Sequence, residues 1–153
     1  MTLVYRLTRR IFAANPFDGE GSYLFGGRWS SPCSRLIYTA EHLSLAMIEY
    51  LAHLDPNDIP EDLVLARAEV PESVSRIRLL PPDLPENWKV YPAPEFLGSV
   101  GDTFVTQVKA AILIVPSVLA PSEDNWLLNP AHPDFQLITV LPVDAFKFDR
   151  RLV

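Results

Sequence analysis

Hydrophobic and polar positions follow two different periods along this chain, and the change of period marks the predicted elements. Residues 3–7 alternate with a period of two, which is typical of a strand. Between residues 43 and 54 the spacing is helical, and the apolar stripe consists of Leu43, Ala46, Met47, Tyr50, Leu51 and Leu54. Because Leu45, Ile48 and Ala52 make the other side of this helix apolar too, we expect it to be buried on two faces.

The remaining apolar segments predict short strands and one further helix. We expect strands at residues 35–39, 63–70, 110–115, 126–128, 136–141 and 145–148, a helix at 95–107, a glycine-containing loop at 15–27 and a proline-rich connection at 81–94. Fifteen prolines break the chain into short elements, which disfavours a helical bundle. Strands before, between and after the helices indicate one α+β domain over residues 1–153, not a series of βαβ units.

Composition and charge narrow the class of protein. A chain of 153 residues is close to the common size of one domain, and its single cysteine, Cys33, cannot form an internal disulfide. Neither a signal-peptide pattern nor an apolar run of membrane-spanning length is present, so we expect a cytoplasmic protein without a membrane partner. The net charge of −6 argues against direct binding of nucleic acid, which needs a basic face.

The predicted helix carries a polar stripe at Glu49, together with His42 and His53. A carboxylate on an otherwise apolar helix needs a reason to be there, and it could stabilise a positive transition state or bind a sugar hydroxyl. The alternative is an exposed glutamate that pairs with His53 four residues on, and the residues alone slightly favour this alternative. A metal site is not expected, because no cluster of three or four ligands is evident.

Basic residues are concentrated at the start of this acidic chain. Residues 1–36 contain five arginines against Asp18 and Glu20, which indicates either an anion site or a solvated basic patch. Gly26-Gly27-Arg28 could bring backbone and guanidinium close to a phosphate, or could be a turn with an exposed arginine.

Tyr38 lies at the end of a predicted strand, and Ser117 follows another predicted strand and Pro116. The ring of Tyr38 could stack on a flat ligand, although a tyrosine at such a position is more often part of the core. Ser117 could bind a phosphate or hydroxyl of a ligand, although a serine after a strand and a proline is more often a turn former or a helix cap.

Taken together, these residues resemble the RES domain, a family named for an Arg, a Glu and a Ser. The resemblance covers essentially the whole chain and rests on the order and spacing of Tyr5-Arg6, Gly26-Gly27-Arg28-Trp29, Tyr38, Glu49 within residues 45–54, Val115-Pro116-Ser117, the segment 129–135 and the closing segment 148–152. In this family the domain is the toxin half of RES–Xre toxin–antitoxin pairs. Its fold is similar to that of ADP-ribosyltransferases, with mixed and antiparallel sheets and a few flanking helices.

The resemblance implies a toxin that consumes NAD as its substrate and arrests bacterial growth. It implies Glu49, Arg28 and Tyr38 as catalytic residues and Arg6, Arg28, Tyr38 and Ser117 as NAD-binding residues. Neither a metal nor a resident cofactor is implied. Cleavage of the nicotinamide–ribose bond could use inorganic phosphate as a co-substrate or could use water. Transfer of ADP-ribose to a specific protein is the alternative, and a non-catalytic nucleotide-binding or interaction module is a second one.

The resemblance also implies a partner, an Xre-type helix-turn-helix antitoxin that blocks the NAD cleft. It leaves the identity of that antitoxin and the formation of a homodimer open. The residues themselves agree with the implied chemistry, because cleavage of the bond develops positive charge on the ribose, and a carboxylate at Glu49 would stabilise that charge.

Overall fold

Eight strands and three helices form the fold in the computed structural model, which describes residues 1–153. The strands are β1 (Thr2–Arg9), β2 (Ile37–Ala40), β3 (Leu63–Val70), β4 (Arg76–Arg78), β5 (Ile112–Pro116), β6 (Asp124–Leu128), β7 (Thr139–Val140) and β8 (Asp144–Ala145). The helices are α1 (Glu20–Phe25), α2 (Leu43–Ala52) and α3 (Glu95–Gln107).

The strands form one mixed sheet in the order β4-β5-β6-β2-β1-β3-β7, and β8 also pairs with β3. Only β4 and β5 are parallel, and every other pair is antiparallel. The predicted α+β class with mixed and antiparallel strands is therefore confirmed.

The sheet is nearly divided between β1 and β2. Strand β1 pairs with β3 along its whole length, from Thr2 opposite Val70 to Arg9 opposite Leu63, and β2 pairs with β6 at all four of its residues. Between β1 and β2, however, only Tyr5 and Ala40 are partners. Because backbone pairing holds neighbouring strands close together, this single pair lets the two halves of the sheet diverge on either side of it.

The hydrophobic core lies on both faces of β5, whose five residues are all buried. Alternate residues of β5 point to opposite faces, so Ile112 and Ile114 belong to one buried cluster and Leu113 and Val115 to another. The second cluster lies under α3 and includes Trp88 from the proline-rich connection. Burial on both faces explains why residues 110–115 form a continuous apolar run instead of an alternating one.

Helix α2 begins and ends close to its predicted bounds, but the expected burial on two faces is wrong. Only Leu45 and Ala46 are buried, while Ile48 and Ala52 are exposed. The helix packs on one side only, where its contacts are with β1 and β2. Apolar periodicity predicts a helix, but it does not reveal on which sides of that helix another layer will lie.

The loop and the late strands also differ from expectation. The loop predicted at 15–27 contains α1, and the strand predicted at 136–141 is replaced by a 3-10 turn, Pro133–Leu137, followed by the two-residue β7. Pro133 favours the first position of that turn, and Pro142 separates β7 from the equally short β8. None of the helices is both long and apolar enough to span a membrane.

A glycine sets how closely α3 approaches the segment that precedes β2. A Cβ atom on Gly101 would overlap the carbonyl oxygen of Trp29 and would lie 3.1 Å from Leu36 Cδ2. We therefore expect Gly101→Ala to lower the free energy of unfolding by at least about 2 kcal/mol, measured by urea denaturation. Gly98→Ala on the same helix is the matched control, since its Cβ would meet nothing closer than 3.5 Å. Equal stability of the two variants would show that the contact is not tight.

Candidate active site

A large cavity opens where β1 and β2 diverge. It has a volume of about 1020 Å³ and is lined by residues of β1, β2 and α2, by the segment from Gly19 to Trp29, and by Lys89, Tyr91 and Ala93 of the proline-rich connection. A volume near 1000 Å³ is at the upper end of the range for small-molecule and cofactor sites. The glycine-rich loop, the predicted helix and the first strand thus meet at one site.

The lining of the cavity carries a net positive charge, whereas the chain as a whole is negative. Three cations (Arg6, Arg28 and Lys89) and one carboxylate, Glu49, line it, while the chain as a whole carries −6. None of the three cations takes part in any of the ion pairs of the structure. Arg6 and Arg28 therefore lie partly buried in a positively charged lining instead of on an open surface.

The carboxylate of Glu49 is fixed by a serine from the other half of the sheet. The hydroxyl of Ser117, which directly follows β5, donates a 2.7 Å hydrogen bond to Glu49 Oε1. Glu49 lies on α2 with its side chain partly buried against the cavity. The alternative of an exposed glutamate paired with His53 is not what the structure shows, because the partner of Glu49 is Ser117.

Ser117 has no exposed surface, and its hydroxyl oxygen is also used by the backbone. It accepts hydrogen bonds from the N–H groups of Leu119 and Ala120, at 3.1 and 3.2 Å. Ser117 is therefore both the turn former that its sequence context suggested and the group that orients Glu49. Ser117 itself does not line the cavity and reaches it through the Glu49 carboxylate, while its direct contact with NAD stays a prediction.

Arg28 is held by the proline-rich connection. Its Nη1 donates to the carbonyl oxygens of Trp88 and Val90, at 3.1 and 3.0 Å. Burial lowers the pKa of the Arg28 guanidinium, and the nearby Glu49 carboxylate opposes that shift. Since an arginine remains charged even so, the Nε and Nη2 side of the guanidinium keeps three donors for an anion.

Arg6 of β1 is partly buried and takes part in no ion pair. Its Nε atom is buried and has no hydrogen bond. Burial lowers the pKa of the Arg6 guanidinium, with partial compensation from Asp18. An unpaired buried donor on a charged group is costly, and a negatively charged ligand is one way to satisfy it.

Tyr38 is enclosed and uses its hydroxyl to shape the loop around Arg28. The hydroxyl accepts a hydrogen bond from the Trp29 N–H at 3.1 Å and lies 2.7 Å from Ser30 Oγ. A Cβ atom on Gly27 would come within 2.6 Å of this hydroxyl, so the close approach requires glycine. The ring lines the cavity and also packs against the buried cluster under α3, while its stacking on a ligand stays a prediction.

Several residues at the site were not singled out from the sequence. Phe25, Lys89, Tyr91 and Asn125 line the cavity. The signal for two of them was a basic residue between aromatic ones, Trp88-Lys89-Val90-Tyr91, inside a segment that its prolines marked as a connection.

A separate cluster lies at the start of α2, outside the cavity lining. Glu41, His42 and Glu123 each bring a carboxylate oxygen or ring nitrogen, atom types that can bind a metal ion, within 4.8 Å of one another. His42 Nδ1 lies 2.7 Å from Glu123 Oε1, and Glu41 accepts from the Asp124 N–H. These hydrogen bonds fix the entry into the helix that carries Glu49.

Removal of the Ser117 hydroxyl should cost stability. In Ser117→Ala the N–H groups of Leu119 and Ala120 lose their acceptor, a hydroxyl that is fully buried. We expect the free energy of unfolding to fall by about 1–3 kcal/mol in urea denaturation. Ser122→Ala, at an exposed position of the same turn region, should leave it unchanged. Identical curves for the two variants would contradict the assigned hydrogen bonds.

The buried Tyr38 hydroxyl predicts a stability change at high pH. Burial raises the pKa of Tyr38 to about 12, against about 10 for an unfolded tyrosine. Above pH 10 the unfolded state therefore loses a proton that the folded state keeps, so stability falls as the pH rises from 10 towards 12. Tyr38→Phe should lack this part of the fall, and its tyrosinate absorbance should rise less near pH 12 than that of the unsubstituted chain. Coincident titration curves would rule out a buried phenol.

Comparison with known proteins identifies the family. The family model described as the RES domain matches residues 3–150. A protein of Yersinia enterocolitica named Toxin Res is 37% identical over 152 residues, which is 98% of this chain and 99% of that protein. A Sphingobium protein named Prs ADP-ribosylating toxin is 34% identical over 146 residues, covering 94% of this chain and 91% of that one.

A solved structure shares the fold. The match is to the M. tuberculosis MbcT–MbcA toxin–antitoxin complex, with a TM-score of 0.75, 20% identity, and coverage of 95% of this chain and 84% of that one. At this identity the likeness is evidence for the fold alone. With the family model matching residues 3–150 and relatives above 30% identity aligned almost end to end, the resemblance seen in the sequence is confirmed, and the chain belongs to the RES domain family.

Proposed function

We propose that this RES domain is the toxin of a toxin–antitoxin pair and that it cleaves the bond between nicotinamide and ribose in NAD. The observation that carries the proposal is the Glu49 carboxylate, held by Ser117 beside the unpaired guanidinium groups of Arg6 and Arg28 in one cavity. The name Toxin Res, borne by relatives of nearly equal length in Yersinia enterocolitica and Pseudomonas putida, supports the toxin role.

The charges of the cavity complement those of NAD. The dinucleotide carries two negative charges on its diphosphate and one positive charge on its nicotinamide ring. The cavity offers three cations and a single carboxylate, Glu49. With Arg6 and Arg28 on the diphosphate, Glu49 is left to face the positively charged end.

The chemistry follows from that placement. The bond between the ribose C1′ and the ring nitrogen breaks, its electron pair leaves with the nicotinamide, and the ring departs as a neutral molecule. The ribose becomes oxocarbenium-like, and the Glu49 carboxylate stabilises the developing positive charge, most strongly in the transition state. Glu49 Oε1 is held by Ser117, so the second oxygen is free to face the sugar.

The attacking group decides the product. Water that attacks C1′ gives ADP-ribose and releases a proton to solvent, whereas inorganic phosphate gives ADP-ribose carrying a phosphate on C1′. A nucleophilic side chain of another protein would instead become ADP-ribosylated. The name of the Sphingobium relative, Prs ADP-ribosylating toxin, favours this transfer as the second candidate.

The proposal includes a partner and a compartment. An Xre-type helix-turn-helix antitoxin that covers the cavity mouth would exclude NAD and keep the toxin inactive in the cytoplasm, where NAD is abundant. The structural neighbour comes from a toxin–antitoxin complex, which supports an antitoxin partner of some kind.

Nicotinamide release from NAD by the purified chain tests the function. The assay runs in phosphate buffer and in phosphate-free buffer, which separate the two routes. A third buffer, phosphate with EDTA, tests whether release needs a metal ion. Faster release in phosphate with a phosphorylated product indicates phosphorolysis, and equal rates in the first two indicate hydrolysis. A folded chain that binds NAD without releasing nicotinamide in any buffer would contradict hydrolysis and phosphorolysis, and would favour transfer to a protein acceptor or a binding module.

The charge of Glu49 should be essential to turnover. Glu49→Gln keeps an oxygen that accepts the Ser117 hydrogen bond but removes the negative charge, so we expect NAD turnover to fall about 10²-fold or more with the fold intact. Glu61→Gln, at an exposed position outside the cavity, is the matched control and should retain full turnover. A folded and fully active Glu49→Gln variant would show that the carboxylate does not stabilise the transition state.

A further inference from the structure

One short segment of the proline-rich connection is held over the cavity from two sides. Trp88 is buried in the cluster under α3. Arg28 binds the carbonyl oxygens of Trp88 and Val90, which flank Lys89 on either side. The backbone from 88 to 90 is therefore fixed, and the side chains of Lys89 and Tyr91 line the cavity.

Two aromatic side chains stand at the mouth of that cavity. Phe25 ends α1 and is 81% exposed, and Tyr91 is 80% exposed, yet both line the cavity. A single exposed aromatic residue is ordinary on a protein surface. Two of them at one mouth, from segments far apart in the chain, offer the faces that a flat heteroaromatic ring uses for stacking.

Lys89 is the third free cation of the cavity. Its ammonium lies 5.7 Å from the centroid of the Trp88 ring and takes part in none of the ion pairs. A lysine next to aromatic side chains on an anion-binding cavity suits a phosphate that is attached to a base.

The order of these groups matches the order of groups in a dinucleotide. The Arg28 guanidinium lines the same cavity as the Glu49 carboxylate and donates a hydrogen bond to the carbonyl oxygen of Val90, the residue before Tyr91. Glu49 is held at the inner wall by the fully buried Ser117, whereas Tyr91 is at the mouth. The Glu49 carboxylate therefore corresponds to the nicotinamide ribose, the Arg28 guanidinium to the diphosphate, and the Tyr91 ring to the second base.

We propose that Tyr91 and Phe25 hold the adenine ring of NAD and that Lys89 binds its diphosphate, so that the 88–91 segment selects the adenosine half of the substrate. The inference rests on the proposed function for its orientation, because the bond that breaks must lie at Glu49. In this arrangement Arg28 has two roles, since it also holds the segment that carries Lys89 and Tyr91.

The affinity for ADP, measured by calorimetry, tests the adenosine subsite without any turnover. Tyr91→Ala and Phe25→Ala should each weaken ADP binding about tenfold, the usual loss when one stacking ring is removed. Tyr91→Phe should bind like the unsubstituted chain, because the ring is kept. Phe96→Ala, at an exposed aromatic residue outside the cavity, is the matched control and should change nothing. Unchanged ADP affinity in both Tyr91→Ala and Phe25→Ala would overturn the proposal.

Lys89→Met keeps the length of the side chain and removes its charge. We expect weaker ADP binding that depends less steeply on salt, whereas Lys147→Met, at an exposed site away from the cavity, should behave like the unsubstituted chain. If the ADP affinity of the two variants depended equally on salt, Lys89 would not bind the diphosphate.

Kinetics distinguish this subsite from the catalytic end. Tyr91→Ala should raise KM for NAD about tenfold with little change in kcat, and should leave turnover of nicotinamide mononucleotide, which lacks the adenosine half, unaffected. An equal loss on both substrates would overturn the assignment to adenine. A chain that binds ADP through Tyr91 but releases no nicotinamide would contradict the proposed function and leave the subsite standing.

Discussion

The hydrogen bond from Ser117 to Glu49 joins two parts of the fold that the sheet itself barely connects. Helix α2 crosses the place where β1 and β2 share a single partner pair, and Ser117 follows β5 on the far side of β2. Without this contact the carboxylate would be one of several polar groups on a half-exposed helix. With it, one oxygen of Glu49 is fixed and the other is free to face the cavity.

The second constraint is electrostatic. Arg6 and Arg28 lie in the cavity without carboxylate partners, and burial disfavours the charge of both. Such an arrangement lowers stability, and proteins retain unpaired buried charge mainly where a ligand supplies the counter-charge. The cost is reduced for Arg28 by two backbone carbonyls, and those carbonyls belong to the segment that also brings Lys89 and Tyr91 to the mouth.

Local patterns in the sequence predicted the local structure. The period-two run at the first strand, the helical stripe of α2 and the apolar run of β5 all lie where expected, since each depends on neighbours within a few residues. Single proline positions account for the late strands that shrank to two residues. The exposed outer face of α2 depends on which layers surround it, and no periodicity contains that information.

The sequence predicted which residues belong to the candidate site, but not which of them contact one another. The resemblance named Arg6, Arg28, Tyr38, Glu49 and Ser117, and four of these five line one cavity while Ser117 lies directly behind Glu49. The contact between Glu49 and Ser117 spans 68 residues of sequence, and that between Arg28 and Trp88 spans 60, so only the folded chain reveals them. The structure adds a hydrogen bond from Ser117 that orients Glu49, and one from the Trp29 N–H to the Tyr38 hydroxyl that shapes the turn before β2.

The proposed function requires that NAD is the molecule that fills this cavity in the cell. The most direct measurement is the cellular NAD concentration during controlled expression of the chain in bacteria without an antitoxin. A multiple-turnover enzyme drains a small-molecule pool, so we expect NAD to fall before growth stops, and expression of Glu49→Gln to leave both unchanged. Growth arrest at a constant NAD concentration would contradict the proposed function.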